Sequence, residues 1–275
     1  MKLSAVPIFP AYYTPLDKLG WYGLRVLCGA VLLFLLLPII VIIPLSFSNS
    51  SFLSYPIPGW SLRWYQELFA SDDWARATRN SFIVAPLATL IATTLGTLAA
   101  VGLARAQFFG KGLLTSLLIA PMVVPIVVVG VSTYLFFARI GLSDSYTGLV
   151  LVHAALGAPF VVTTVMATLQ GFNQNLVKAS LSLGAGPLET FFRITLPVIA
   201  PGVISGALFA FATSFDEVVV TLFLAGPTQT TLPRQMFTGI RENISPTIAA
   251  VATLLIVFTA CLMMTLEWLR GRIKK

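Results

Sequence analysis

The sequence predicts an all-α integral membrane protein. Hydrophobic residues make up 57% of the 275 residues and charged residues only 10%, and the mean hydropathy is +0.91. That composition leaves too few polar side chains to cover a soluble globule of this length. Several apolar runs reach the roughly 20 residues that a helix needs to cross a hydrocarbon core of about 30 Å. None of them alternates with a period of two, which favours helices over an outer-membrane barrel.

Six transmembrane helices can be placed along the chain. The predicted spans are 22–47, 75–104, 112–137, 147–169, 197–224 and 246–270. They lie between an N-terminal tail, 1–21, and a C-terminal tail, 271–275. The first run is longer than the apolar centre of a signal peptide and no clear cleavage site follows it, so we interpret it as an uncleaved helix.

Proline and glycine predict irregular helices in the middle of the bundle. Pro121 and Pro125 lie four residues apart at the start of the third span, and Gly157 and Pro159 interrupt the fourth. We expect kinks in both.

The distribution of Lys and Arg predicts the orientation. If both tails, the adjoining helix ends with Arg25 and Arg270, and the segments 105–111 and 171–193 share one side, that side holds eleven of the seventeen basic residues. The opposite side holds six, together with seven of the ten acids. Positive residues collect on the cytoplasmic side, so we expect both termini and the segment 171–196 to be cytoplasmic. The net charge of +7 then reflects the topology. Nucleic-acid binding would need basic residues clustered on a soluble domain, and the sequence contains no such domain.

Small residues mark packing surfaces on two predicted helices. Gly96 and Gly102 lie in the second span, and Gly202 and Gly206 in the fifth. Small residues allow helices to approach closely in lipid. We expect packing seams there, either inside the bundle or toward a second subunit.

The segment between the first two predicted spans carries an aromatic pattern. Trp60, Trp64 and Leu68 recur every four residues, which predicts one apolar face of a short helix. Such a helix can lie along the membrane interface with its rings at headgroup depth. Contact with an external partner is the alternative.

The polar segment between the fourth and fifth predicted spans contains a short amphipathic helix. Its apolar positions recur at separations of four, three and four, as on one helical stripe: Phe172, Leu176, Ala179 and Leu183. Gly184 can adopt positive φ and end this helix. Pro187 suits the first turn of a second short helix, and Pro197 begins the next span. We expect exposed apolar side chains to contact a partner, or the loop to rest on lipid; the candidates are Leu176, Leu181 and Phe191.

This segment resembles the EAA loop of ABC-importer permeases. The family pattern is Glu-Ala-Ala, three residues, Gly, nine residues, Ile, any residue, Leu and Pro. The last four fixed positions stand here at matching offsets: Gly184, Ile194, Leu196 and Pro197. Lys178 replaces the family's Glu and Ser180 its second Ala. The reversed charge at Lys178 means that the ion pair or cap that the family's Glu makes with the ATPase is not expected here in the same form. The docking helix itself is still expected.

The resemblance implies a type I importer permease in a bacterial inner (cytoplasmic) membrane, in contact with lipid. Such permeases work in pairs. Each seats its loop on one of two cytoplasmic ATPase subunits, and a periplasmic or extracellular solute-binding protein delivers the solute. The implied ATPase-coupling residues are Leu176, Lys178, Ala179, Ser180, Leu181, Gly184, Ile194, Leu196 and Pro197.

The chain has no phosphate-cradling motif of its own. Gly110-Lys111 is the nearest match to G-x-x-x-x-G-K-[ST], but Arg105 occupies the place of the first glycine. We therefore expect no cofactor in this chain, and expect ATP and Mg²⁺ to be bound by the partner ATPase.

Other strings look like the polyamine-type subgroup of these permeases. They are 159–162, 170–172, 214–220, 226–227 and 232–233. The subgroup includes importers of spermidine and putrescine, with relatives for γ-aminobutyrate, opines, phosphonates, thiamine or ferric iron. It favours a second permease that is a related, non-identical chain.

Two acids near the outer end of the fifth predicted span are candidates for the translocation pathway. Charge in an apolar setting is costly unless it faces water or a partner, so one carboxylate of Asp216 or Glu217 is a candidate to face the pathway and favour cations. The alternative is that the pair marks the outer water boundary or binds Arg234 or Arg241.

Two further pathway candidates have ordinary alternatives. His153 is the only histidine, and it is either a solute or proton site or a hydrogen-bonded packing residue. Tyr134 suits cation–π contact with an amine, or the helix core.

Other function classes have less support. An ion-gradient-driven secondary transporter usually has internal repeats and more helices. A membrane-embedded enzyme needs catalytic groups within reach, and neither H-E-x-x-H nor G-x-S-x-G occurs. Cys28 and Cys261 both lie in apolar runs and indicate neither a disulfide nor a metal site.

Overall fold

The structure, a computed structural model, describes residues 12–242 and 245–273 and is all-helical over those residues. It divides into two compact units, Phe69–Asn243 and the unit formed by Met1–Leu68 with Ile244–Lys275. The helices are α1 Pro15–Leu45, α2 Arg63–Ala70, α3 Asp72–Arg105, α4 Lys111–Ile119, α5 Ile126–Ile140, α6 Tyr146–Gln170, α7 Gln174–Ser182, α8 Pro187–Thr190, α9 Leu196–Phe215, α10 Val219–Leu224, α11 Leu232–Glu242 and α12 Pro246–Ile273.

Four helical stretches are long and apolar enough to cross a membrane. They are Pro15–Leu45, Asp72–Arg105, Tyr146–Gln170 and Pro187–Phe215. A fifth candidate is the pair Lys111–Met122 and Ile126–Ile140, which is bent by 101°. The bend occurs at Pro121 and Pro125, as the sequence predicts, whereas α6 continues unbroken through Pro159. The apolar part of α12, Pro246–Leu262, is shorter.

Helices α3, α6 and α9 form the core of the larger unit, and glycines bring them together. A Cβ placed on Gly206 would lie 2.7 Å from the Cα of Val161, and one on Gly96 would lie 2.8 Å from the Cβ of the same valine. These predicted seams therefore lie inside the bundle. Gly102 has no neighbouring atom within 4 Å of such a Cβ, so its face of α3 is open.

The predicted span 197–224 is not one helix. Helix α9 ends at Phe215, and α10 begins at Val219 after a turn that contains the two acids. At the other end, no break occurs before Pro197, because a π-helical turn at 191–195 joins α8 to α9. Proline has no N–H to donate and crowds the carbonyl four residues earlier, so a wider turn accommodates it.

In the smaller unit, the helix predicted to carry Trp60, Trp64 and Leu68 on one face does not include Trp60. Helix α2 begins at Arg63, and Trp60 lies before it, in a bridge with Ser48. Trp64 and Leu68 are buried, and the indole Nε1 of Trp64 donates to the Ser48 carbonyl at 2.7 Å. Trp64 therefore holds this segment together through a hydrogen bond, whereas Trp60 is 72% exposed.

Candidate functional site

The segment between α6 and α9 folds as two short helices around a sharp glycine turn. The Asn173 side chain accepts the N–H of Asn175 at 3.0 Å and caps α7. At the other end Gly184 has φ +88°, and its N–H donates to the Leu181 carbonyl at 3.0 Å. The next N–H, of Ala185, reaches back to the carbonyl of Ser180 at 3.2 Å. This pair of bonds is the Schellman arrangement, and it reverses the chain within two residues.

Hydroxyl groups tie this turn to the bundle. The hydroxyls of Ser180 and Thr190 lie 3.0 Å apart and join α7 to α8. Arg105, the last residue of α3, donates from Nη2 to the Thr195 hydroxyl at 2.9 Å. Thr190 and Thr195 are both buried. Helix α8 continues through the π turn into α9, so the second short helix is joined without a break to a long apolar helix.

The predicted coupling residues divide between an exposed and a packed side. Those on the exposed side are Leu176, Lys178, Ala179, Leu181, Gly184 and Pro197, with 44% of Leu176 and 47% of Leu181 accessible. Ser180, Ile194 and Leu196 are half-buried.

Sequence reasoning misplaced one side chain of this surface and missed two. Phe191 is only half exposed and packs against the core. Leu188 and Phe192 are the exposed apolar side chains of the second short helix and the π turn. The i, i+4 spacing of Leu188 and Phe192 is the signal that could have identified them.

The two acids between α9 and α10 have different environments. Asp216 is exposed at the end of α9, whereas Glu217 is half-buried. The Oε1 atom of Glu217 accepts the Val220 N–H at 2.8 Å, so this carboxylate caps the first turn of α10. Asp216 is therefore the more exposed carboxylate of the pair.

Of the two predicted alternative partners of these acids, Arg234 is engaged elsewhere, and the Arg241 guanidinium lies 6.0 Å from the Phe237 ring centroid. Among the side chains that the structure describes, Arg76 pairs with Asp73 and Arg193 pairs with Glu189. Arg234 donates to the carbonyls of Ala225 and Gly226. Burial lowers the pKa of the Arg234 guanidinium, and the charge of Asp144 acts in the opposite direction. Arg234 thus holds the chain that follows α10 and leaves Asp216 unpaired by it.

His153 is enclosed within the same unit. Only 1% of its surface is exposed. Its Nδ1 lies 2.8 Å from the Ser214 hydroxyl and its Nε2 lies 3.2 Å from the Thr221 hydroxyl. In this conformation the ring cannot be reached by a solute, and the packing alternative fits it better. Tyr134, on α5, is 41% exposed and takes part in none of these hydrogen bonds.

A second polar cluster, which sequence reasoning missed, fastens α3 to the loop after α10. The buried amide of Asn80 donates to the carbonyls of Thr228 and Thr230 at 2.9 and 2.8 Å, and its Oδ1 accepts the Tyr146 hydroxyl at 2.8 Å. The position of the polar Asn80 inside the predicted span 75–104 is the signal that could have identified this cluster. In the described part of the chain, no three His, Cys, Asp or Glu side chains are grouped as metal ligands.

Solved structures identify the fold. The chain is similar to a bacterial ABC transporter involved in the import of the acidic polysaccharide alginate, with a TM-score of 0.77 and 14% identity over 94% of this chain and 99% of that one. It is also similar to the bacterial alginate ABC transporter in complex with an alginate pentasaccharide-bound periplasmic protein, with a TM-score of 0.65 and 21% identity over 88% and 93% of the two chains. At these identities the likeness concerns the fold, that of type I ABC permeases.

Sequence relatives identify the family. The putrescine transport system permease protein PotI of Escherichia coli (strain K12) is 35% identical over 88% of both chains. The spermidine/putrescine transport system permease protein PotC of Haemophilus influenzae is 34% identical over 83% of this chain and 89% of its own. Residues 92–275 match the family described as binding-protein-dependent transport system inner membrane component. The chain therefore belongs to that family, and is a permease subunit of an ABC importer rather than an enzyme.

Proposed function

We propose that this chain forms half of the translocation pathway for a small, cationic or amine-bearing solute such as putrescine or spermidine. The names of the relatives support this solute class, since PotI and PotC match most of the chain at 33–35% identity. The partners would be a second, related permease, two cytoplasmic ATPase subunits that bind ATP and Mg²⁺, and a periplasmic or extracellular solute-binding protein.

The proposed topology has six spans in the inner membrane and both termini in the cytoplasm. Five spans correspond to the four long helices and the bent pair, and the sixth to α12. The excess of Lys and Arg in the tails and in the segments 105–111 and 171–193 supports this orientation.

We propose that the segment 171–196 couples this chain to the ATPase, and the exposed surface of the segment supports this. Leu181, Leu188 and Phe192 expose large apolar side chains, and Lys178 of the same segment is also exposed. Apolar side chains grouped within a polar segment are typical of a contact with another protein. Because the hydroxyl bonds and the π turn fix this surface to α3 and α9, movement of an ATPase against it would move those helices.

Asp216 is the proposed cation-attracting group of the pathway. It is exposed and lies in the break after α9, and among the described residues it forms no ion pair, whereas Glu217 caps α10. A carboxylate in a partly apolar channel attracts amines and is costly without such a role.

The test is uptake of labelled putrescine and spermidine into liposomes that contain the complete importer. We expect uptake with ATP and none with an ion gradient alone. A charged hydrogen bond contributes about 1.5–3 kcal/mol, and solvent reduces this at an exposed carboxylate. Asp216→Asn should therefore lower uptake of both amines by roughly five- to tenfold. Uptake without ATP, or an unchanged rate in this variant, would contradict the coupling or the pathway role respectively.

A matched variant controls for loss of a surface acid. Glu242→Gln removes an exposed carboxylate at the end of α11. It should leave uptake unchanged, with the same amount of importer in the liposomes.

A further inference from the structure

The buried His153 forms hydrogen bonds that a residue serving only to fill space would not need. His153 lies on α6, but its two ring nitrogens contact residues on opposite sides of the break between α9 and α10. Ser214 is the second-last residue of α9, and Thr221 lies in the first turn of α10. The imidazole therefore bridges the turn that carries Asp216.

The direction of each hydrogen bond follows from counting protons. The Thr221 hydroxyl donates its single proton to the carbonyl of Glu217, at 3.3 Å. In that orientation the hydroxyl accepts from His153, and we assign the ring proton to Nε2 on this ground. Nδ1 is then an acceptor, and the Ser214 hydroxyl donates to it at 2.8 Å. The result is one directed chain from Ser214 through a neutral imidazole and Thr221 to the backbone of Glu217.

These hydrogen bonds, together with the Glu217 side chain, hold the acidic turn at three points. One end is fixed at Ser214, two residues before Asp216, and the other at the Glu217 carbonyl, immediately after it. The Glu217 side chain adds a cap on α10. Ser214, His153 and Thr221 are all buried, where an unpaired polar group is costly and alternative turn conformations are disfavoured accordingly.

We propose that His153, in its Nε2-protonated form, is a positioning residue that fixes the turn between α9 and α10 and thereby directs the Asp216 carboxylate into the translocation pathway. This inference depends on the pathway role of Asp216 proposed above. It gives His153 no contact with the solute.

Removing either link of the chain tests the proposal with minimal change in volume. Ser214→Ala and Thr221→Val should each lower uptake by about three- to tenfold, as expected for loss of one buried hydrogen bond. Thr253→Val is the matched control, because the buried Thr253 hydroxyl donates to the Ala249 carbonyl of its own helix, at 2.8 Å, and not to the turn between α9 and α10. It should leave uptake unchanged. Equal rates in all three variants and the unaltered protein would overturn the proposal.

A double-variant experiment separates positioning from general packing. If Thr221 and His153 act only through Asp216, Thr221→Val should cause no further loss in an Asp216→Asn background. A further loss by the same factor would mean that these hydrogen bonds merely support the fold. That result would overturn the positioning role of His153 and leave the pathway role of Asp216 standing. If Asp216→Asn itself leaves uptake unchanged, both proposals are wrong.

The protonation state can be observed directly, because His153 is the only histidine in the sequence. Histidine-selective ¹⁵N labelling of this chain, purified without a histidine tag and assembled with unlabelled partners, gives one imidazole. We expect a neutral ring with the proton on Nε2. A proton on Nδ1 or on both nitrogens would contradict the directed chain.

Substitution of the ring gives the complementary result. His153→Gln retains an N–H donor near the Nε2 position and should keep more uptake than His153→Phe, which retains volume without hydrogen bonds. The amount of each variant in the membrane controls for folding. Equal loss in both variants at equal amounts would contradict the positioning role.

Discussion

Replacing Gly184 by alanine tests whether the glycine turn holds the coupling surface in place. Gly184 has φ +88° and Gly186 has φ −71°, and a Cβ on either meets no atom within 4 Å. The two positions therefore differ in backbone conformation and not in available space. An alanine in the left-handed region costs about 1–2 kcal/mol, whereas at an ordinary φ the same change is neutral or stabilising by about 0.4–1 kcal/mol.

The magnitude can be measured by hydrogen exchange in the assembled importer. A loss of 1–2 kcal/mol corresponds to about a 5- to 30-fold increase in opening of the turn. Gly184→Ala should accelerate exchange of the Gly184 position and the Ala185 amide by that factor and lower uptake, since both amides close the turn. Gly186→Ala should neither accelerate exchange nor lower uptake. Equal exchange in the two variants would refute the argument that the positive φ of Gly184 shapes this surface.

Three further results are expected. Gly206→Ala should lower the stability of the detergent-solubilised protein by about 1–2 kcal/mol, since the new methyl meets a backbone carbon of α6, whereas Gly102→Ala, in open space, should not lower the unfolding temperature. Asn80→Ala should cost about 1–3 kcal/mol, because the Thr230 carbonyl loses its amide donor while the Tyr146 hydroxyl still reaches the Thr228 carbonyl, and an unchanged denaturation midpoint would contradict it. Thr195→Val removes the bond from Arg105 and should lower uptake more than ATP hydrolysis; a parallel fall of both rates would argue against a transmission role.

The sequence predicted the helices and the glycine turn because these follow from local chemistry. Hydropathy identifies apolar helices, and Gly184 suits the positive φ that closes α7. The 101° bend follows in the same way from Pro121 and Pro125.

Contacts distant in sequence could not be predicted in this way. The bonds of His153 to Ser214 and Thr221 join residues 61 and 68 positions apart, and no periodicity reports such a pairing. Trp64 fits a membrane-facing stripe by spacing, yet a carbonyl 16 residues earlier accepts its indole N–H. Pro197 suggested a helix start, but the π turn before it maintains a continuous helix. In each case a tertiary or backbone hydrogen bond overrode the local pattern.

Site-specific photocrosslinking at Leu181 tests the central claim most directly. Leu181 is 47% exposed on the coupling surface, and Leu98, 55% exposed on α3, is the matched control. In cells that import the solute, a photoreactive residue at 181 should form a covalent adduct with an ATP-hydrolysing chain, and one at 98 should not. Continued import with no such adduct from position 181 would contradict the coupling role of the segment 171–196.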